Sequence, residues 1–117
     1  MSIEKRVAAL LRTECPRVFP DVAPISTERP YVTYQQIGGT AIQPLGREVP
    51  SKRNAFVQVN VWADTRAEAS ALSERIDAAF RLATTMQATP MAEPISTNDD
   101  DLRLRGTIQE FNVWADR

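Results

Sequence analysis

Three groups of side chains in this sequence have types and spacings that could do chemistry. Asp99, Asp100 and Asp101 form an unbroken acidic run whose oxygens suit a hard cation. Glu74 and Asp77, three residues apart, could stand as paired carboxylates on one helix face, as general acid-base work requires. Arg47, Lys52 and Arg53 gather positive charge and could meet an anion or an acidic partner. Each group has a plainer reading. Consecutive acids on an extended chain point to alternate sides and no EF-hand spacing follows, so a solvated turn accounts for the aspartates. Arg75 and Arg81 are near enough to Glu74 and Asp77 to make an ordinary charged helix face. A solubilising role in a loop accounts for the three basic residues.

Histidine is absent altogether, which removes Ser-His-Asp and Cys-His nucleophile systems and His-ligated zinc. Cys15 is the only cysteine, so no internal disulfide can form. It precedes Pro16 at the end of a predicted helix, where the helix dipole disfavours a thiolate, and a small buried or partly buried side chain is expected. Gly38-Gly39 and Gly46 match no GxxxxGK loop, and turn formation explains them. No convergent catalytic, metal or cofactor-binding set emerges, and a protein without enzymatic activity or cofactor is expected.

The 117 residues fit one domain, 1–117, burying roughly two-thirds of the unfolded surface. Hydrophobic residues make up 43% and charged residues 25%, as in a folded globular domain. A net charge of -1 gives no long-range attraction for nucleic acid or acidic membrane. The sequence begins without a signal-peptide core and has no run near the roughly 20 apolar residues of a membrane span, so a cytosolic protein with no membrane partner is expected.

These residues need elements to position them. Ser2 can cap a helix whose apolar positions Ile3, Val7, Leu10 and Leu11 share one face, ended by Pro16. Arg17-Val18-Phe19-Pro20 allows a short edge strand, and prolines at 20, 24 and 30 make 21–30 an extended connection. Tyr31-Val32-Thr33-Tyr34-Gln35-Gln36-Ile37 reads as a strand closed by Gly38-Gly39. Residues 40–54 form a long loop, and 55–62 alternate as a strand, with Val57, Val59 and Val61 on one side. Thr65 and Glu68 fit a capping box, Asp64 being a competing cap, for a helix over 66–83 striped by Ala69, Leu72, Ile76, Phe80 and Ala83. Pro90 and Pro94 allow a broken edge strand before the turn Asn98-Asp99-Asp100-Asp101, and the final strand starts at Leu102. There Leu102, Leu104 and Ile108 have even parity while Phe111 and Val113 are odd, which predicts a β-bulge near Gln109-Glu110.

The pentapeptide Asn-Val-Trp-Ala-Asp occurs twice, at 60–64 and 112–116. A second short repeat, Pro-Ile-Ser-Thr at 24–27 and 94–97, has a different spacing, so no single duplication accounts for both. Superposing the pentapeptides aligns Val61 with Val113 and puts Trp62 and Trp114 on the face away from the helices. The element order α-β-β-β-α-β-β predicts a two-layer α+β fold, a mainly antiparallel sheet of about four strands with two helices on one face. Asn60, Trp62, Asn112 and Trp114 then lie on the uncovered face or its margin. They are the candidate subunit interface, the alternative being that the tryptophans cover the rim of the domain's own core.

Phe19-Pro20-Asp21-Val22-Ala23-Pro24, Arg29-Pro30-Tyr31-Val32-Thr33-Tyr34, and Val57-Gln58-Val59-Asn60-Val61-Trp62-Ala63 followed by a helix from Ala67-Glu68-Ala69 are carried in order over nearly the whole chain. In this the sequence resembles the tail-completion proteins of long-tailed bacteriophages and prophages, related to tail terminators and tail-to-head joining proteins. The departures are the proline-rich 40–54 loop and the Asp99, Asp100, Asp101 run. The resemblance implies a non-enzymatic virion protein, assembled in the bacterial cytoplasm and placed at the head-tail junction. It implies a homo-oligomeric ring, typically hexameric, with head-connector and tail-tube proteins as partners and DNA met only by passage through the lumen. In such a ring Arg47, Lys52 and Arg53 could face the channel or pair with Asp99, Asp100 and Asp101 of a neighbouring copy. The alternative is a small α+β module recognising a peptide or nucleic acid through its exposed sheet. Against it stand few basic residues on the strands and no RNP-like aromatic pattern.

Overall fold

A computed structural model describes residues 2–117. Helix α1, Ile3–Arg12, starts where Ser2 Oγ accepts the Lys5 amide proton at 3.2 Å, and it buries Ile3, Val7, Ala8 and Leu11. Cys15 follows in the core, 2% exposed. Strand β1, Val18–Pro20, runs parallel to β2, Tyr31–Gly38, because residues 21–30 carry the chain back to the same end. Strand β3, Lys52–Ala63, pairs antiparallel with β2 and leads through Asp64 to α2, Arg66–Arg81. Thr65 Oγ1 accepts from the Glu68 amide at 3.2 Å, so Thr65 caps the helix, while Asp64 pairs with Arg29 at 2.9 Å. Three strands close the chain: β4, Gln87–Pro90, β5, Ile95–Asp99, and β6, Leu104–Asp116.

The sheet order is β1-β2-β3-β6-β4, with β5 beside β4 on the same β6 edge. The sheet is thus six-stranded and mixed, where the sequence predicted about four mainly antiparallel strands. The broken edge strand expected around Pro90 and Pro94 is two short strands, β4 and β5, which exist because β6 offers an edge long enough for both, and the parallel β1–β2 pair makes the sheet mixed. β6 spans about 40 Å at about 3.3 Å per residue. That exceeds the molecule's two smaller extents of 26 and 22 Å, so the β3–β6 ladder runs along its 52 Å axis.

Both helices pack on one face, over Val32, Tyr34, Val57, Val59, Val61, Phe111 and Val113. Phe80 of α2 stacks on Phe111 of β6 with ring centroids 4.1 Å apart and planes 13° from parallel. Two buried rings in offset contact add to burial an attraction of about 0.5–1.5 kcal/mol.

Two further expectations are corrected. β6 begins at Leu104, because residues 100–103 form a turn in which Arg103 takes φ 54° and its amide donates to the Asp100 carbonyl oxygen. The predicted bulge near Gln109-Glu110 is absent: β3 and β6 pair without interruption from Lys52↔Asp116 to Ala63↔Arg105. The parity change has another cause. Thr107 and Gln109 occupy helix-facing positions and are 4% exposed, while Leu104 and Ile108 lie on the opposite face. At Gln109 and Glu110 it is the partner strand that changes, from β4 to β5, and Met91 N donates to Glu110 O across the gap at 2.9 Å. A register shift occurs instead in β2 between Gln36 and Gly38, where Gly38 takes φ 149°, a conformation open to glycine.

Candidate functional site

The sheet face away from the helices is built by alternate residues of the strands: Tyr31 and Thr33 from β2, Phe56, Asn60 and Trp62 from β3, and Ile108, Asn112 and Trp114 from β6. Most are half-buried against one another, and Ile95 on the neighbouring β5 is 66% exposed. Residues 23–29 close over part of this face, lining with Tyr31, Leu102 and Leu104 a hollow of about 260 Å³. The end of the face near Tyr31 is therefore roofed. Burial, the largest effect, raises the Tyr31 hydroxyl pKa above its ordinary value; Arg29 opposes the shift and Asp99 adds to it.

The four interface candidates do not form one patch. Trp62 lies across Gly106. Trp114 pairs with Asn54, eight residues before Trp62 on β3, so about 26 Å separates the tryptophans along the ladder. Asn60 Oδ1 is buried without a protein partner. Asn112 Oδ1 accepts from Asn54 Nδ2 at 2.5 Å, and Asn54 also donates to Val113 O and accepts from Thr40 N. Both asparagine oxygens are therefore turned inside the face, that of Asn112 bonded to Asn54 and that of Asn60 without a protein partner, and the exposed parts of the aromatics are what a partner could touch. Asn54, 5% exposed, holds the start of the 40–51 loop to the sheet.

The charged candidates also divide. Lys52 and Arg53 belong to strand β3 rather than to the predicted loop, because β6 extends far enough to pair with both; only Arg47 stays in the loop. Lys52 Nζ meets Asp116 Oδ1 at 2.5 Å, and Arg6 donates to Asp116 O at 3.0 Å. The Lys52 hydrogen bond, then the Lys52 charge, lower the Asp116 carboxyl pKa below its ordinary value. Lys52, Arg53 and Arg117 border a cleft of about 330 Å³, and Lys52 with Trp114 and Gln87 borders another of about 440 Å³. This end of the ladder is basic.

Asp99, Asp100 and Asp101 lie at the opposite end, where β5 turns into β6. Asp99 is the last residue of β5, and its Oδ1 accepts from Leu102 N at 3.2 Å. Asp100 accepts from Asn98 Nδ2 at 2.8 Å, and Asp101 is exposed. Arg29 fastens the turn by donating to Leu102 O and Asp64. Arg103 and Arg105 stand at the same end, so its acidity is local to the turn.

Glu74 and Asp77 border a third feature, a polar cleft between α2 and the 93–96 stretch, which sequence reasoning did not place. Thr107 forms part of its wall, and Gln109 two residues along β6 donates to Asp77 Oδ1 at 2.8 Å and to Ala92 O. Their types gave no sign of this, because Thr and Gln at helix-facing positions break the apolar alternation. Among the described residues no cluster of three or more His, Cys, Asp or Glu side chains could hold a metal ion, and no helix is long and apolar enough to cross a membrane.

A solved protein structure is similar to this one with a TM-score of 0.57 over 97% of this chain and 89% of the other, at 15% identity, a likeness of fold alone. No curated protein matches the sequence. The family model described as Tail completion protein gp17 matches residues 4–116, which takes in both helices, all six strands and both charged ends. The chain belongs to the phage tail completion protein gp17 family.

Proposed function

We propose that the protein acts without catalysis, as a closed homo-oligomeric ring, typically of six copies, that completes the phage tail and joins it to the head. The observation that carries this reading is the placement of Lys52 and Arg53 at one end of the β3–β6 ladder and of Asp99, Asp100 and Asp101 at the other. A ring needs two different complementary patches on each copy, and a head-to-tail contact joins them. Exposed charge pairs contribute only about 0.2–1 kcal/mol each, so they orient the contact. The affinity comes from apolar side chains such as Trp114, which borders the basic end. One rim of the ring meets the last tail-tube ring and the other the head connector, and DNA passes through the lumen.

Electron microscopy of the concentrated protein, alone and with tail tubes, tests this. Rings should form on tube ends, disappear with Arg53→Glu, and return when Asp100→Arg is added. Copies that stay monomeric and never bind tube ends would overturn the reading; rings indifferent to both changes would remove the charge pairing.

A further inference from the structure

The hollow roofed by residues 23–29 is shaped to receive an apolar group. Pro24, Ile25, Tyr31, Leu102 and Leu104 are among the residues that line it, and its volume is about 260 Å³. Its roof is a fixed turn: the Thr27 amide donates to Pro24 O at 3.2 Å, the Thr27 hydroxyl donates to the same oxygen, and Ser26 takes φ 67°. Arg29 ties that roof to the far wall by donating to Leu102 O as well as to Asp64. Ile25 is almost fully exposed and Leu102 more than half, so the apolar lining continues to the surface. A site held in shape before it is filled loses little ordering entropy on binding.

The 40–51 loop at the other end of the molecule carries the complement. Its tip, Pro44-Leu45-Gly46, presents a fully exposed Leu45, and Val49 and Ile42 on either side are exposed as well. Apolar side chains gathered on one uncovered loop mark a contact with another molecule. They do not fill the hollow of their own copy, since none of them lines it. The loop leaves and rejoins the sheet beside Asn54 and Lys52, whereas the hollow lies at Tyr31, the partner of Trp62, and Lys52 and Trp62 stand about 33 Å apart along β3 at about 3.3 Å per residue. A second copy has no such constraint. Arg47 follows Leu45 by two residues and the exposed Asp101 precedes Leu102 by one, so a leucine entering the hollow carries a guanidinium towards the acidic turn. Opposite charges beside an apolar contact set its orientation. We propose that Leu45 of one copy seats in the hollow of the next, between Ile25 and Leu102, as an apolar anchor of the head-to-tail contact. This rests on the ring proposed above and names the residue and the receiving site through which its copies meet.

The test is an amide NMR titration of the full chain carrying Leu45→Ser, whose own loop no longer competes, with an acetylated and amidated peptide of residues 40–51. Saturable shifts are expected at Ile25, Ser26, Tyr31 and Leu104. A peptide with Leu45→Ala should bind about tenfold more weakly or worse, the worth of burying a leucine side chain. Ala23→Leu in the receiving chain fills the hollow from its own roof and should weaken the unaltered peptide to a similar degree, while the core amide signals stay in place. Leu82→Ser, which removes an exposed leucine outside both hollow and loop, should leave the affinity unchanged. No saturable shift at these four amides, or equal affinity of the two peptides, overturns the proposal. Electron microscopy separates this contact from the ring. Rings from the Leu45→Ser protein as abundant as from the unaltered one would overturn the anchor and leave the ring, whereas a peptide bound in the hollow with no rings from the unaltered protein would overturn the ring and leave the contact between copies.

Discussion

Trp62 packs directly on the bare backbone of Gly106, its partner across the β3–β6 ladder. A methyl group on Gly106 would lie 2.5 Å from the Val61 carbonyl oxygen and 2.8 Å from Trp62 Cε3. Glycine in a central strand is a weak sheet former, and an aromatic ring laid over it restores the lost cover. The first copy of the repeated pentapeptide thus places its tryptophan in a structural contact. Gly106→Ala should destabilise the fold by about 1–3 kcal/mol through overpacking against backbone. Gly46→Ala, whose nearest neighbour would be Glu48 Oε1 at 3.9 Å, should be near neutral. Urea denaturation of the two variants checks both.

Phe80 and Phe111 hold α2 to β6, and both are fully buried. Phe80→Ala should cost about 3–5 kcal/mol, as large-to-small changes in closed cores do. A double-mutant cycle with Phe111→Leu should return a coupling of about 0.5–1.5 kcal/mol, the part specific to stacked rings. Additive losses would show that the pair contributes burial alone.

How far these elements were legible depended on whether local pattern and tertiary setting agreed. Helices α1 and α2 announced themselves because Ser2 and Thr65 are good caps and the apolar stripes that follow are buried, and β3 because Val57, Val59 and Val61 alternate with polar residues. Strands β4 and β5 showed only as one broken edge strand around Pro90 and Pro94. Gln87-Ala88-Thr89-Pro90 and Ile95-Ser96-Thr97-Asn98-Asp99 have little strand character, and what makes them strands is the free edge of β6. The same long-range pairing turned Lys52 and Arg53 from loop into strand. The Thr107 cleft was illegible for a related reason: a polar residue at a buried position imitates a break in phase, and only the pairing register separates the two. Which residues of the outer face meet a partner could not be told from alternation, since that pattern names a face and not the ends along it.

Asp116 and Lys52 give a pH-dependent mark at the basic end. The folded carboxyl titrates below the ordinary 3.8, chiefly through the Lys52 hydrogen bond and next through its charge. Stability from this group is therefore fully present above the ordinary carboxylate range and is lost as pH falls through the lowered folded value. A carboxyl-carbon NMR titration should show Asp116 below its ordinary pKa, moving up towards it in Lys52→Met. Because both groups are largely exposed, high salt should produce the same upward movement in the unaltered protein. A titration unmoved by either change would mean that the pair does not persist in solution.

Trp62 and Trp114 share a pentapeptide and a sheet face yet stand in different surroundings, so their truncations should separate fold from assembly. Trp62 covers Gly106 at the end partly roofed by residues 23–29, whereas Trp114 borders an open cleft with Lys52 and Gln87. Trp62→Ala uncovers a glycine in the centre of the sheet and should lower stability by about 1–3 kcal/mol, near the lower end of large-to-small changes because the ring is only half-buried. Trp114→Ala removes a half-buried ring from the rim of that cleft and should cost less. If Trp114 anchors the contact between copies, its loss should still abolish rings on tail-tube ends, since binding energy concentrates in a few large aromatics. Urea denaturation and electron microscopy on the same two proteins decide this. A Trp114→Ala protein that unfolds assigns the residue to the core, and one that forms normal rings excludes it from the interface.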